Sequence, residues 1–210
     1  MLSISELSDR EQIKVLVNAL TSEIKASGLS SDQIMILFET FTSIDTVHKM
    51  MSELDNLDIE ERYKHCIMSC TYNARSLSDG TTPREVAAYC NRYDFIKYVG
   101  QNCCDITTDI DFVLSEYTKV TNKYLFCKPN TDAINVDTLL KYIDKYNLAI
   151  AGFCCGSSKE LIEEVKELLP TNKEIIKNNI VESTYIRELL PSGSIVGDRI
   201  NTTKNKKLIG

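Results

Sequence analysis

Eight cysteines and two histidines are the residues of this chain with the most chemistry open to them. Thiolates and imidazoles hold borderline and soft metals, and a thiolate beside an imidazole can act as a nucleophile. The densest run is His65 and Cys66, with Cys70 four residues on, followed along the chain by Cys90, Cys103 and Cys104. On a helix, Cys66 and Cys70 would share a face and could supply one edge of a metal site. Zinc takes four N or S ligands in a tetrahedron, and structural sites usually include a Cys-x-x-Cys pair. The chain has no such pair. The spacing therefore favours buried thiols, with no metal and no cofactor. The set His65, Cys66, Cys70, Cys90 and Cys103 stands as the alternative.

Other chemistry is thinner. The phosphate-cradling GxxxxGK[ST], the dinucleotide GxGxxG and the GxSxG elbow are all absent. His48 falls on the polar side of a helical pattern and reads as a surface residue. Cys154-Cys155-Gly156 resembles the Cys-Cys-Gly string of some iron–sulfur proteins. No cysteine follows Cys155, so that reading is set aside. The acidic pairs Glu60-Glu61 and Glu163-Glu164 read as solvated helix faces. No catalytic set emerges, and a protein that is not an enzyme is expected.

Composition bounds the rest. Of 210 residues, 43% are hydrophobic and 26% charged, which fits a folded globular chain and excludes wholesale disorder. A net charge of −6 disfavours a general nucleic-acid binder. No apolar run is long enough to span a membrane, and the first residues lack the pattern of a secretory signal. A cytoplasmic, reducing setting follows, in which cysteine behaves as a small hydrophobe. The abundance of Asn, Lys, Ile and Asp suits an AT-rich genome, including that of a virus or an intracellular bacterium, whose protein would sit in a host cytosol.

The elements that would position these residues read mostly as helices. Residues 8–28 start with a Ser8/Glu11 capping box and end at Gly28. Further helical patterns cover 31–41, 44–54, 58–72, 109–122, 172–179 and 183–190. Over 124–170, two short apolar runs (124–127 and 148–153) each precede a helical stretch (136–147 and 158–169). That is a β-α-β-α pattern, and it leaves an α+β protein, or a small α/β enzyme, as the alternative. The Ala and Gly content of the second run leans towards helix.

One stretch, 79–106, carries a family likeness. Asp79-Gly80 forms a turn, and Thr82-Pro83 starts a helix. Ala87 and Ala88 give it a small face, and Phe95, Ile96 and Val99 pattern a second helix. Asn102, Asp105 and Ile106 close the stretch. This order resembles one ankyrin repeat, although Arg84-Glu85, Asn91 and Cys103-Cys104 depart from the family's pattern. The resemblance implies an all-α solenoid of stacked antiparallel helix pairs. The expected organisation is a helical N-terminal region (1–72), ankyrin-like repeats (73–190) and a polar, basic tail (191–210). The implied function is a scaffold or adaptor that binds another protein through Thr81, Arg84, Glu85, Tyr89, Arg92 and Tyr93.

Overall fold

A computed structural model describes residues 10–29, 35–55, 66–169, 183–189 and 195–201, the last two segments as backbone. It contains a seven-stranded sheet rather than a stack of helix pairs. In chain order the elements are α1 (Arg10–Ser27), β1 (Ile36–Phe41), α2 (Ile44–Asp55), β2 (Cys66–Cys70), α3 (Pro83–Cys90), β3 (Ile96–Asn102) and α4 (Ile110–Thr118). There follow β4 (Tyr124–Lys128), α5 (Val136–Tyr146), β5 (Leu148–Ala151), α6 (Lys159–Leu168), β6 (Ser183–Leu189) and β7 (Ile195–Asn201). Strands β1 to β5 lie side by side in chain order and are all parallel. Strand β7 then pairs antiparallel with β5, and β6 pairs with β7.

This overturns the all-α reading. The stretch read as the second helix of a repeat, around Phe95, Ile96 and Val99, is largely β3. Residues 36–41, inside a predicted helix, form β1, and 66–70, inside another, form β2. Segment 183–189 is a strand, whereas the predicted helix 172–179 and residues 202–210 of the basic tail lie outside the described residues. The physical reason is burial on both faces. Strands β2 and β5 are buried at every position. Such strands read as continuous apolar runs with no alternation to separate them from buried helix. Over 124–151 the β-α-β pattern is present, but as part of one α/β sheet rather than a separate α+β unit.

Strand order carries the architectural conclusion. Right-handed crossovers between strands laid down in sequence put every helix on the same face. A doubly wound sheet would instead reverse its order partway and cover both faces. The core agrees with one-sided winding. Its main cluster joins Ile13, Val47, Val86, Val113, Leu139 and Ile162, one from each helix, to strand residues such as Phe38, Met68, Val99 and Cys127. The opposite face carries Ile67, Tyr98, Phe126, Ala149 and Ile150, with Met35 and Leu37 against them; among the described residues no helix contributes to it. Consecutive parallel strands with helices outside and an apolar inner face make a segment of a (β/α) barrel.

The supposed ankyrin signature has a local explanation. The Asp79 carboxylate accepts from the backbone N–H of Ile44 at 2.7 Å and of Thr81 at 3.0 Å, so it caps the start of α2. Gly80 sits at φ +83°, where a side chain would be strained. Thr82 and Glu85 form a capping box on α3 with Pro83 in its first turn. These are the ordinary devices of a strand-to-helix loop.

Candidate metal centre

The C-terminal ends of the parallel strands form one rim. At that rim the loops after β3, β4 and β5 are joined by backbone hydrogen bonds. The N–H of Cys103 donates to the carbonyl of Lys128 (3.1 Å), and that of Asn130 to the carbonyl of Cys104 (2.9 Å). The N–H of Cys154 donates to Pro129 (2.7 Å), and that of Thr131 to Cys155 (3.1 Å). The Asn130 side chain accepts from the N–H of Cys155 at 3.2 Å. Cys103 takes φ +51°, and Gly156 takes φ +82° with Thr131 Oγ1 so near that a Cβ would meet it at 2.2 Å. The turns therefore aim three thiols at one point.

Those thiols belong to Cys103, Cys154 and Cys155, whose sulfurs all lie within 4.8 Å of one another. Cys103 Sγ and Cys154 Sγ are 2.7 Å apart and share a hydrogen bond. That bond is the largest influence on both: it raises Cys103 and lowers Cys154, whose pKa falls to about 6, with the Lys128 ammonium helping to hold it down. One proton shared between two sulfurs favours early ionisation of the pair. Cys103 and Cys154 are half-buried and Cys155 is exposed, so the cluster is open on one side. Three soft sulfur donors with an open position match the pattern of catalytic zinc, which keeps a site for water or substrate. The donor set thus fits a zinc ion.

Polar residues on the inner face of the strands surround this rim. Glu39 follows Leu37 on β1, and Lys128 follows Phe126 on β4, two residues on in each case and so on the same inner face. Asn102, at the end of β3, is fully buried. Its Oδ1 accepts from Thr40 N–H (3.0 Å) and Ser69 O–H (2.8 Å), while its Nδ2 donates to Thr40 Oγ1 (3.0 Å). This holds Thr40 at φ +70°, a costly conformation for a β-branched residue, immediately after Glu39. Lys128 Nζ lies 3.8 Å from Glu39 Oε2, beyond hydrogen-bond reach. Glu39 Oε2 is buried and has no hydrogen-bond partner among the described residues. Both groups act electrostatically on Cys154.

Of the set His65, Cys66, Cys70, Cys90 and Cys103, only Cys103 belongs to the cluster. His65 lies outside the described residues. Cys66, Cys70 and Cys90 pack among the helices, where burial pushes Cys66 and Cys90 up to about 12 and Cys70 also upward. These are inert core thiols. Cys154 and Cys155 were legible as a Cys-Cys-Gly string, but their third partner lies upstream rather than downstream. Glu39 and Lys128 were not singled out, and Asn102 was read only as a closing position of the ankyrin-like stretch. A charged residue ending an apolar run, as in ILFE and YLFCK, is the signal that could have found two of them.

The residues expected to face a partner lie on and beside α3, on the helix layer, and have internal roles. Arg84 pairs with Glu116, and Glu85 closes the capping box. Thr81 N–H donates to Asp79, and the Tyr89 and Tyr93 hydroxyls hydrogen-bond at 2.9 Å. His48 stacks on Tyr89, with ring centroids 3.9 Å apart, and Arg92 sits over the same ring.

A one-sided (β/α) sheet with three thiols gathered at its C-terminal rim has the layout of a barrel protein with a candidate metal site among its strand-end loops. The family model of homocysteine S-methyltransferase matches residues 6–169, and the chain belongs to that family. This replaces the ankyrin likeness, the scaffold role and the expectation of a non-enzyme. Among solved structures, the apo form of the homocysteine methyltransferase MmuM from Escherichia coli aligns with TM-score 0.61 and 19% identity, over 77% of this chain and 59% of that one. The metallated form gives 0.61 and 18%, over 79% and 54%. The oxidized form gives 0.59 and 20%, over 76% and 52%. At this identity the likeness establishes the fold, and the chain spans between half and three fifths of those structures' length. No curated protein sequence matches the chain. Among the described residues no helix is long and apolar enough to cross a membrane.

Proposed function

We propose that this chain binds zinc and homocysteine and takes part in methyl transfer to the homocysteine sulfur. The observation that carries this is the convergence of Cys103, Cys154 and Cys155 at the strand rim. A zinc ion held there would supply the Lewis acidity that ionises a substrate thiol at neutral pH. The thiol proton passes to solvent, the sulfur attacks the methyl carbon of an activated donor, and the donor's bond to that carbon breaks, its electron pair leaving with the demethylated donor as the new S–C bond forms. Both the family match and the thiol-only donor set support the reading, since a sulfur nucleophile suits a soft, sulfur-rich centre.

The chain's own residues orient the substrate. Glu39 offers a buried carboxylate oxygen with no hydrogen bond among the described residues, close enough to the thiol cluster for its charge to act on Cys154. A group left in that condition is costly unless something completes it. The α-ammonium of an amino-acid thiol is such a partner, with a charge opposite to that of the carboxylate. The Asn102–Thr40 clamp fixes the strand end from which Glu39 projects.

Calorimetric titration of the zinc-loaded chain with homocysteine and with homoserine tests this. Homocysteine is expected to bind and homoserine, lacking the sulfur, is not. Glu39→Gln is expected to weaken homocysteine by roughly 10- to 100-fold, the worth of a hydrogen bond to a charged group, with zinc content unchanged. Equal binding of the two ligands, or none of either, would refute the assignment.

A further inference from the structure

We infer that Lys128 is a substrate-binding residue that takes the α-carboxylate of the amino-acid thiol, making this site selective for the zwitterion over a simple thiol. The inference rests on the homocysteine reading above and adds to it the group that reads the other charge of the substrate.

Lys128 ends β4 with its side chain only 4% exposed. Lysine is rarely so buried unless its charge is met. Nζ lies 3.8 Å from Glu39 Oε2, too long for a hydrogen bond, and among the described residues no side-chain hydrogen bond holds it. A carboxylate oxygen with no hydrogen bond among the described residues thus faces an ammonium just beyond hydrogen-bond reach inside the fold. An ammonium has three donors to place and a carboxylate has several lone pairs. A tight Lys–Glu pair would satisfy both; this separated one does not.

Position adds a second argument. The backbone carbonyl of Lys128 accepts from Cys103 N–H, and the Lys128 charge acts on Cys154. The ammonium therefore stands beside the metal ligands, at the same rim as Glu39. An α-amino acid carries its two charges on one carbon, and in homocysteine two methylenes separate that carbon from the sulfur. A ligand with its sulfur at the thiol cluster can place its ammonium at Glu39 and its carboxylate at Lys128. The sign order of the pair matches that of the zwitterion.

Interior placement makes this contact strong. Breaking one side of a desolvated charge pair costs far more than breaking an exposed one. Lys128→Met keeps the aliphatic stem and removes the charge.

The test is calorimetric titration of the zinc-loaded full chain with homocysteine and with 3-aminopropane-1-thiol, the same molecule without its carboxylate. Wild type is expected to prefer homocysteine by roughly 30-fold or more. Lys128→Met should narrow that preference to about threefold by weakening homocysteine alone, and Lys128→Arg should keep most of it. If Lys128→Met does not fold, Lys128→Gln replaces it. Equal affinity of wild type for the two thiols overturns the inference, and so does an unchanged preference in the uncharged variant. In both cases thiol binding itself, and with it the homocysteine reading, survives. Failure of wild type to bind either thiol removes both.

Discussion

Cys154→Ser is expected to reduce zinc in the purified chain from one equivalent to a trace. Sulfur sites in small zinc domains bind with about 10–16 kcal/mol over four ligands, or roughly 2.5–4 kcal/mol each. Loss of one ligand from three therefore costs roughly a hundred- to a thousand-fold in affinity. A serine hydroxyl does not replace it, because it ionises far less readily than a thiol already lowered to about 6. Cys90→Ala is the control. Cys90 is fully buried between helix and sheet, with its thiol pushed up to about 12, and its loss should lower stability while leaving zinc in place. Metal analysis of the two variants separates the thiol cluster from the core cysteines. Retention of zinc by Cys154→Ser, with loss in Cys90→Ala, would reverse the assignment.

Gly100→Ala is expected to be the most damaging methyl group that can be added to the sheet. Gly100 pairs with Phe126 across β3 and β4. A Cβ at this position would lie 1.7 Å from the Phe126 carbonyl oxygen and 2.5 Å from its carbonyl carbon. Those are backbone atoms of a buried strand and have no rotamer to change. The strands must separate, which disturbs the pairing that brings Lys128 beside Cys103. Tyr117 O–H also donates to the Gly100 carbonyl at 3.2 Å, so the shift reaches α4. A destabilisation of about 3 kcal/mol or more is expected, at the upper end for overpacking. In a chain of this size that corresponds to a fall in Tm of about 10 °C. Gly80→Ala provides the contrast: nothing lies within 4 Å of its Cβ position, and only the φ of +83° is penalised. Its cost should be about 1 kcal/mol. Thermal unfolding of both variants checks this, and a Gly100→Ala protein as stable as wild type would mean the β3–β4 pairing is wrong.

Helices were the legible part of this sequence. Apolar residues at 3.6-residue spacing located α1 and α2 nearly to their ends, and Thr82 with Pro83 marked the start of α3. Strands were legible only as an alternative at 124–127 and 148–153 and not at all elsewhere, for a definite reason. CIMSC (β2) and LAIA (β5) are buried along their whole length, and both faces need apolar or small residues. Their pattern carries no period. In β3, Ile96 and Val99 face the helices and Tyr98 the inner side, and the Ile96–Val99 spacing also suits one turn of helix. The ankyrin likeness came from real local chemistry: the Asp79 cap, the Gly80 turn and the Thr82–Glu85 box. Any loop that turns a strand into a helix can use the same parts.

The candidate site divides in the same way. Adjacent Cys154 and Cys155 were visible, but Cys103 lies 51 residues upstream of Cys154. Only parallel pairing of β3, β4 and β5 brings them together. Glu39 and Lys128 are further apart still, and each looks unremarkable in sequence. Their meaning depends on facing inward at the same end of one sheet.

The most direct measurement is zinc K-edge X-ray absorption on the reduced chain, before and after addition of homocysteine. The account predicts three sulfur neighbours at about 2.3 Å with one lighter atom, changing to four sulfurs when homocysteine is added. Fewer than three sulfurs in the free protein, or a sulfur count that homocysteine does not change, would contradict it.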